Sequence, residues 1–152
     1  MIKINIVCVG NLKDKFFIEA SEEYIKRLSR FCVCSIKELK EFNNLNNKTQ
    51  IVKAEGEEII KNLKGYVVLL DVQGEQQSSE NFSLNIQNLS QKYSEITFVI
   101  GGSYGVSEQV KNNSNQKLSF SKMTFPHRLF RVMLLEQIYR AFTISNNISY
   151  HK

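Results

Sequence analysis

Two stretches of this 152-residue chain concentrate the backbone freedom and small polar side chains that could do chemistry. The first is Ile100-Gly101-Gly102-Ser103-Tyr104-Gly105, where three of the chain's seven glycines fall within five residues. Glycine reaches φ > 0 and lets a ligand approach the backbone. The loop runs into Ser107-Glu108, a helix-start pattern whose free N–H groups favour an anionic or polar ligand. A nucleotide-like ligand fits that chemistry. The Gly-Lys-Ser/Thr of a Walker loop is missing, and the Rossmann glycines would follow the first strand, so ATP and NAD are disfavoured. The second stretch, Ser119–Pro126 (SFSKMTFP), is rich in hydroxyls and holds one lysine and the only proline. It reads as a backbone-rich pocket or as a plain strand-to-helix loop. A weaker signal is Leu70-Asp71 followed by Val72-Gln73-Gly74. An aspartate there could bond a ribose hydroxyl or an amine, but a turn capped by its own aspartate is the simpler reading.

Proton-handling groups are scarce. The two histidines are His127, at an expected helix start, and His151, in the terminal Ser149-Tyr150-His151-Lys152. That ending is either a frayed terminus, the simpler reading, or a tail that contacts substrate. His127 reads as a cap or packing residue. Cys8, Cys32 and Cys34 form no C-x-x-C pair and are odd in number, so neither zinc nor a disulfide framework is expected. They read as small apolar side chains, and no metal is called for.

The elements that must hold these stretches alternate. Ile2–Val9 is a strand-length apolar run rich in β-branched residues, and Gly10-Asn11 breaks it. Asp14–Phe31 has helical spacing of apolar residues. Cys32–Leu39 alternates like a strand; Phe42–Gln50 has four asparagines and reads as a loop. Ile51–Leu63 is helical, with Glu57 and Lys61 four apart. Tyr66–Leu70 and Glu95–Ile100 read as buried parallel strands, Ser79–Tyr93 as a helix, Leu118–Phe120 as a short last strand, and His127–Ser145 as a long helix after Pro126. Strands alternating with helices imply an α/β fold, a parallel sheet with helices on both faces. Ligands of such sheets bind at the carboxyl ends of the strands. Asp71–Ser78, Gly101–Val106 and Ser121–Pro126 are the loops expected there.

The chain length suits one domain, residues 1–152, able to bury a core without staples. A hydrophobic share of 42% and a charged share of 23% exclude wholesale disorder, collagen and a coiled-coil rod. No apolar run approaches a membrane span, and the N-terminus reads as a strand rather than a signal peptide. A soluble cytoplasmic protein is the expectation. Residues 1–116 hold 14 basic and 14 acidic side chains, so the whole +5 lies in residues 117–152. There Lys117, Lys122, Arg128, Arg131, Arg140 and Lys152 face Glu136 alone. A polyanionic partner and a solvated basic helix explain this equally well. The last helix is apolar on nearly every side, which predicts a homodimer with that helix in its interface. Glu136 and Arg140 are also spaced for an i,i+4 pair, a structural alternative for Arg140.

The run SFSKMTFPHRLFRVMLLEQIYRAFTISNNISYHK, with FVIGGSYG and LLDVQGEQQSS before it, closely resembles the RlmH-type ribosomal RNA methyltransferases of the SPOUT class. MTFPH, EQIYRAF and the terminal YHK are together highly specific. The likeness extends to VGNLKDKFFIEASEEYIKRL and KAEGEEI, so it covers essentially the whole chain. Arg128 stands where the family commonly has Gln, Asn147 where it has Gly, and Ser149 where it has Pro.

The resemblance implies an α/β/α sandwich with a C-terminal trefoil knot. It implies S-adenosylmethionine held by Leu70, Gly101, Gly102, Gly105 and the segment Phe120, Ser121, Lys122, Met123, Thr124, Phe125 and Pro126. It implies a homodimer whose active site uses both subunits, and methylation at N3 of a pseudouridine in 23S rRNA, on the assembled ribosome. The N3 proton must leave, and the candidates to take it are His151 or Tyr150 of the tail, or water, with the tail favoured. Arg128, Arg131, Arg140 and Lys152 are the candidate RNA contacts. A non-catalytic RNA-binding or ribosome-assembly dimer, or a methyltransferase of another RNA, are the competing functions.

Overall fold

The computed structural model describes all residues, Met1–Lys152. Five strands and five helices alternate: β1 (Lys3–Val9), α1 (Lys15–Leu28), β2 (Val33–Leu39), α2 (Lys48–Ile60), β3 (Tyr66–Gln76), α3 (Ser79–Lys92), β4 (Glu95–Ile100), α4 (Glu108–Asn112), β5 (Gln116–Ser119) and α5 (His127–Ser145). The strands form one all-parallel sheet in the order β2-β1-β4-β3-β5. β1 and β4 are apolar almost throughout because each is covered on both faces. On one face, Ile4, Ile6, Val68, Ile96 and Phe98 pack with residues of α1, α3 and α5. On the other, Val7, Val9, Leu69 and Val99 pack with residues of α2 and α4. No helix is long and apolar enough to cross a membrane.

Local signals explain most boundaries. Ser107 caps α4 by accepting the N–H of Val110 at 3.3 Å, and Pro126 opens α5, its carbonyl receiving the N–H of Phe130 at 2.9 Å. The asparagine-rich loop ends earlier than its composition implies. Asn47 accepts the N–H of Gln50 at 2.9 Å and starts α2 at Lys48. Lys61 reaches Glu58, at 2.9 Å, rather than Glu57.

The largest departure from the sequence reading is at β3. Leu70 was expected to end the strand, yet pairing resumes beyond it. Leu70 and Glu75 both pair with Leu118, and Gln76 with Ser119. Residues 71–74 are extruded between them as a bulge, in which Asp71 Oδ1 accepts the N–H of Gln73 at 3.0 Å. Asp71 is thus the turn-capping residue of the simpler reading. Gly74 permits the bulge, because a Cβ there would sit 2.6 Å from the Lys117 carbonyl carbon.

The long helix α5 differs from expectation in what covers it. It lies between α1 and α3 on the sheet, so Leu134, Leu135, Ile138 and Ala141 are buried within the single chain. Of its residues only His127, Arg128 and Leu129 are exposed. Its apolar circumference therefore does not by itself demand a second copy.

Candidate active site

At the carboxyl end of the sheet, three segments enclose a cleft of about 450 Å³, within the range of small-ligand sites. The first is Leu70–Val72, at the start of the bulge; the second is Ile100–Val106, the glycine loop after β4; the third is Leu118–Phe125, leaving β5. His127 and Phe130, at the start of α5, complete the lining. Of the sequence candidates, Leu70, Gly101, Gly102, Gly105, Phe120, Ser121, Met123, Thr124 and Phe125 all line this cleft. Lys122 and Pro126 do not, and both are exposed. Asp71, the weaker candidate for a ribose hydroxyl or an amine, lines it too, as do Lys111 and His127, which the sequence linked to no ligand.

The glycine loop is folded tightly on itself. Gly105 donates its N–H to the Gly102 carbonyl at 3.1 Å and adopts φ +83°. The N–H groups of Gly101, Ser103 and Tyr104 donate to nothing within the chain. Opposite, Ser121 Oγ accepts the N–H of Met123 at 3.0 Å and shapes the second loop. Free backbone N–H groups beside Leu70, Ile100, Leu118 and Phe120 suit a flat, hydrogen-bonding group such as a nucleobase with its sugar. No group of three or more His, Cys, Asp or Glu is placed to hold a metal.

The C-terminal tail lies elsewhere, folded onto α5 and α3. Tyr150 donates its hydroxyl to Glu136 Oε1 at 3.1 Å and stacks edge-on against Tyr139, with ring centroids 4.8 Å apart. Arg140 donates from Nε to the same Glu136 oxygen at 2.9 Å. Its guanidinium covers the Tyr150 ring at 4.9 Å. His151 is bracketed by Arg140 Nη1 at 3.0 Å and Glu80 Oε1 at 2.7 Å. Burial, with Tyr24 and the negative charge of Glu136, pushes the Tyr150 hydroxyl far up, so it stays protonated and donates. Neither Tyr150 nor His151 lines the 450 Å³ cleft of its own chain. A second cavity of about 460 Å³ lies between, sharing Leu118, Ser119, Phe120 and Phe125 with the cleft and reaching Glu136.

The expected RNA contacts separate into two kinds. Arg131 is 3% exposed. Its Nη1 pairs with Glu38, and its Nη2 donates to the Gly10 carbonyl at 3.0 Å. It ties α5 to the ends of β1 and β2 and cannot meet a phosphate without dismantling that tie. Arg140 is likewise spent on Glu136 and His151, the structural alternative foreseen from its spacing. Arg128 and Lys152 are exposed, Arg128 with Asp14 at 3.6 Å.

Comparison with known proteins agrees with the fold. The family model described as "Predicted SPOUT methyltransferase" matches residues 2–151. A Fusobacterium nucleatum protein named ribosomal RNA large subunit methyltransferase H is 47% identical over 99% of this chain and 100% of its own. One of the same name from Clostridium botulinum, strain Eklund 17B, is 50% identical over 99% and 100%. Among solved structures, a probable methylase family protein from Haemophilus influenzae superposes with a TM-score of 0.56 at 13% identity, covering 98% of this chain and 70% of that one. A second, a methyltransferase candidate from Legionella pneumophila in complex with SAM, superposes at 0.54 with 9% identity over 93% and 66%. At such identities the two structures speak to the fold alone. A parallel sheet with its cleft at this position, matched end to end by the family model and by full-length relatives, places the chain in the SPOUT methyltransferase family.

Proposed function

We propose that this protein transfers a methyl group from S-adenosylmethionine to N3 of a pseudouridine in 23S ribosomal RNA, acting as a homodimer on the assembled ribosome in the cytoplasm. The observation that carries the reading is full-length identity of 47–50% to relatives named for large-subunit ribosomal RNA methylation. The cleft's chemistry agrees with the cofactor. Leu70, Ile100 and Phe120 offer apolar walls to the adenine, and the N–H groups of Gly101 and Tyr104 offer donors. When bound, the cofactor supplies an electrophilic methyl on a sulfonium.

The chain's contribution is then positioning, which can supply much of the rate. The second cavity, walled by Tyr24, Phe82, Phe120 and Phe125, gives aromatic surface beside the cleft. The N3 proton is taken by the tail, with His151 as the acceptor; Tyr150, protonated and donating to Glu136, is not the group that takes it. In the knotted path of the family, Phe120–Pro126 runs between the β3 bulge and the glycine loop. Its support is that all three segments line one cleft.

Assays of tritiated methyl transfer to ribosomes, isolated subunits and tRNA test the reading. Incorporation into 23S rRNA of ribosomes, at a pseudouridine, is expected. Transfer only to tRNA would move the activity to another RNA; a chain that binds no S-adenosylmethionine would be a scaffold. Light scattering at micromolar concentration is expected to return twice the mass of one chain, and a monomer mass would remove the dimer from the proposal.

A further inference from the structure

Glu55 lies on the inward face of α2 with 4% of its surface exposed. Carboxylates this deeply buried normally have partners for both oxygens. Glu55 has one: Oε2 accepts the N–H of Phe42 at 3.3 Å. Oε1 is buried and unpartnered. It faces the glycine loop so closely that a Cβ on Gly102 would sit 2.6 Å from it. The next residue of α2, Gly56, meets the far end of the same loop, where a Cβ would collide with Ser107 Oγ. Neighbouring residues of one helix thus press on both ends of the Gly101–Ser107 wall of the cleft. Val9 is the other side chain packed at that point of Gly102, and Glu41 is the charged group acting on Glu55. Burial first, and the charge of Glu41 after it, hold the Glu55 carboxyl above the usual carboxylate range, against the pull of the Phe42 hydrogen bond.

We propose that Glu55 is the positioning residue of the glycine loop: Oε1 accepts a backbone N–H of the Gly102–Ser103 segment when the cofactor fills the cleft, and so fixes the loop's peptide orientation. The inference rests on the cofactor reading above. An unpartnered buried oxygen is costly, and gaining a donor removes the cost. Peptides flanked by glycine reorient with little steric hindrance. One whose N–H turns toward α2 turns its carbonyl the other way, where the cleft holds a purine amine or ribose hydroxyl. Gly102 lacks a side chain, on this view, to admit the carboxyl behind the loop as much as the ligand before it.

Calorimetric titration of the full chain with S-adenosylmethionine tests this with Glu55→Gln, which keeps an acceptor oxygen, and Glu55→Met, which keeps the length without one. Circular dichroism and the Tm of the ligand-free proteins report folding. The expected result is an affinity loss of about tenfold or more in Glu55→Met, from the missing acceptor. Glu55→Gln should recover most of the loss, while the ligand-free Tm of Glu55→Met is no lower than that of the wild type. The wild-type amide proton of Gly102 or Ser103 should move downfield on saturation, and neither should move in Glu55→Met. A Glu55→Met chain that binds within about twofold of wild type, or a Glu55→Gln chain no better than it, overturns the role of Glu55 and leaves the cofactor reading standing. A wild-type chain that takes no S-adenosylmethionine overturns both.

Discussion

Arg140 Nη1 lies 3.0 Å from Nδ1 of His151, and this contact decides where the imidazole proton sits. A guanidinium only donates, so Nδ1 must accept. The ring proton is then on Nε2, 2.7 Å from Glu80 Oε1. In this arrangement His151 has no free lone pair, and a tail that takes a proton from substrate must first leave Arg140.

Removing Arg140 should therefore free the tail. In Arg140→Ala, Tyr150 and His151 lose their shared partner and Glu136 loses its counter-ion. The expected cost is about 2 kcal/mol of stability, the scale of hydrogen bonds to charged groups. Limited proteolysis should clip the last residues of the variant faster than those of the wild type. Equal clipping would show that Arg140 does not hold the tail.

Acid should loosen the same attachment at Glu80. Its carboxyl is held below the usual range, first by the hydrogen bond from His151. A lowered folded-state value contributes stability above the ordinary carboxylate value of 4.5, lost as pH falls through the folded value. Amide signals of Ser149–Lys152, followed down from neutral pH, should shift toward disordered values below about pH 4.5 in the wild type. In Glu80→Gln that acid step should be absent.

Arg131 and Arg128 should behave oppositely toward RNA. Arg131→Ala leaves Glu38 and the Gly10 carbonyl without their partner and should cost about 2–3 kcal/mol, below the cost for a fully buried pair because Glu38 is partly solvated. Denaturant unfolding measures it. A folded Arg131→Lys chain should keep the salt dependence of binding to a ribosomal RNA fragment. Arg128→Ala and Lys152→Ala should each flatten the log–log salt slope by about one. A flattened slope in Arg131→Lys would return that residue to the RNA interface.

The three thiols should be inert in the native state. Burial pushes Cys8 up to about 11, with Arg131 pulling the other way, and Cys32 and Cys34 up to about 12. At about pH 8 a thiol reagent should label them roughly 100-fold more slowly than free cysteine, with full reactivity only on unfolding. Fast labelling of any one would mean that its segment opens in the native state.

Local patterns in the sequence determined the element order, the parallel sheet, the start of α5 at His127 after Pro126 and the glycine loop, because each has a short-range physical cause. β-branched runs need burial on both faces, Ser107 caps its own helix, and Asn47 caps α2 even where composition suggested only loop. Asn147 stands at a position where the family resemblance implies glycine, and at φ +55° it takes the left-handed conformation that glycine there would supply. Most of the cleft-lining residues were legible for the same reason, since loops at the carboxyl end of parallel strands converge by topology.

What tertiary structure alone decided are the long-range pairings. The +5 of residues 117–152 looked like one basic site along the chain. In space Arg128 meets Asp14, Arg131 meets Glu38 and Arg140 meets Glu136, so Lys117, Lys122 and Lys152 remain without a carboxylate partner. Two of those carboxylates come from the first 40 residues. Likewise β3 passes its apparent end at Leu70 because Leu118 pairs with it twice, before and after the bulge. Glu55 carries no local mark of the glycine loop it faces, 47 positions away from Gly102. Charge, register and buried contacts between distant segments are set by which surfaces the sheet brings together, and no window of neighbouring residues encodes that.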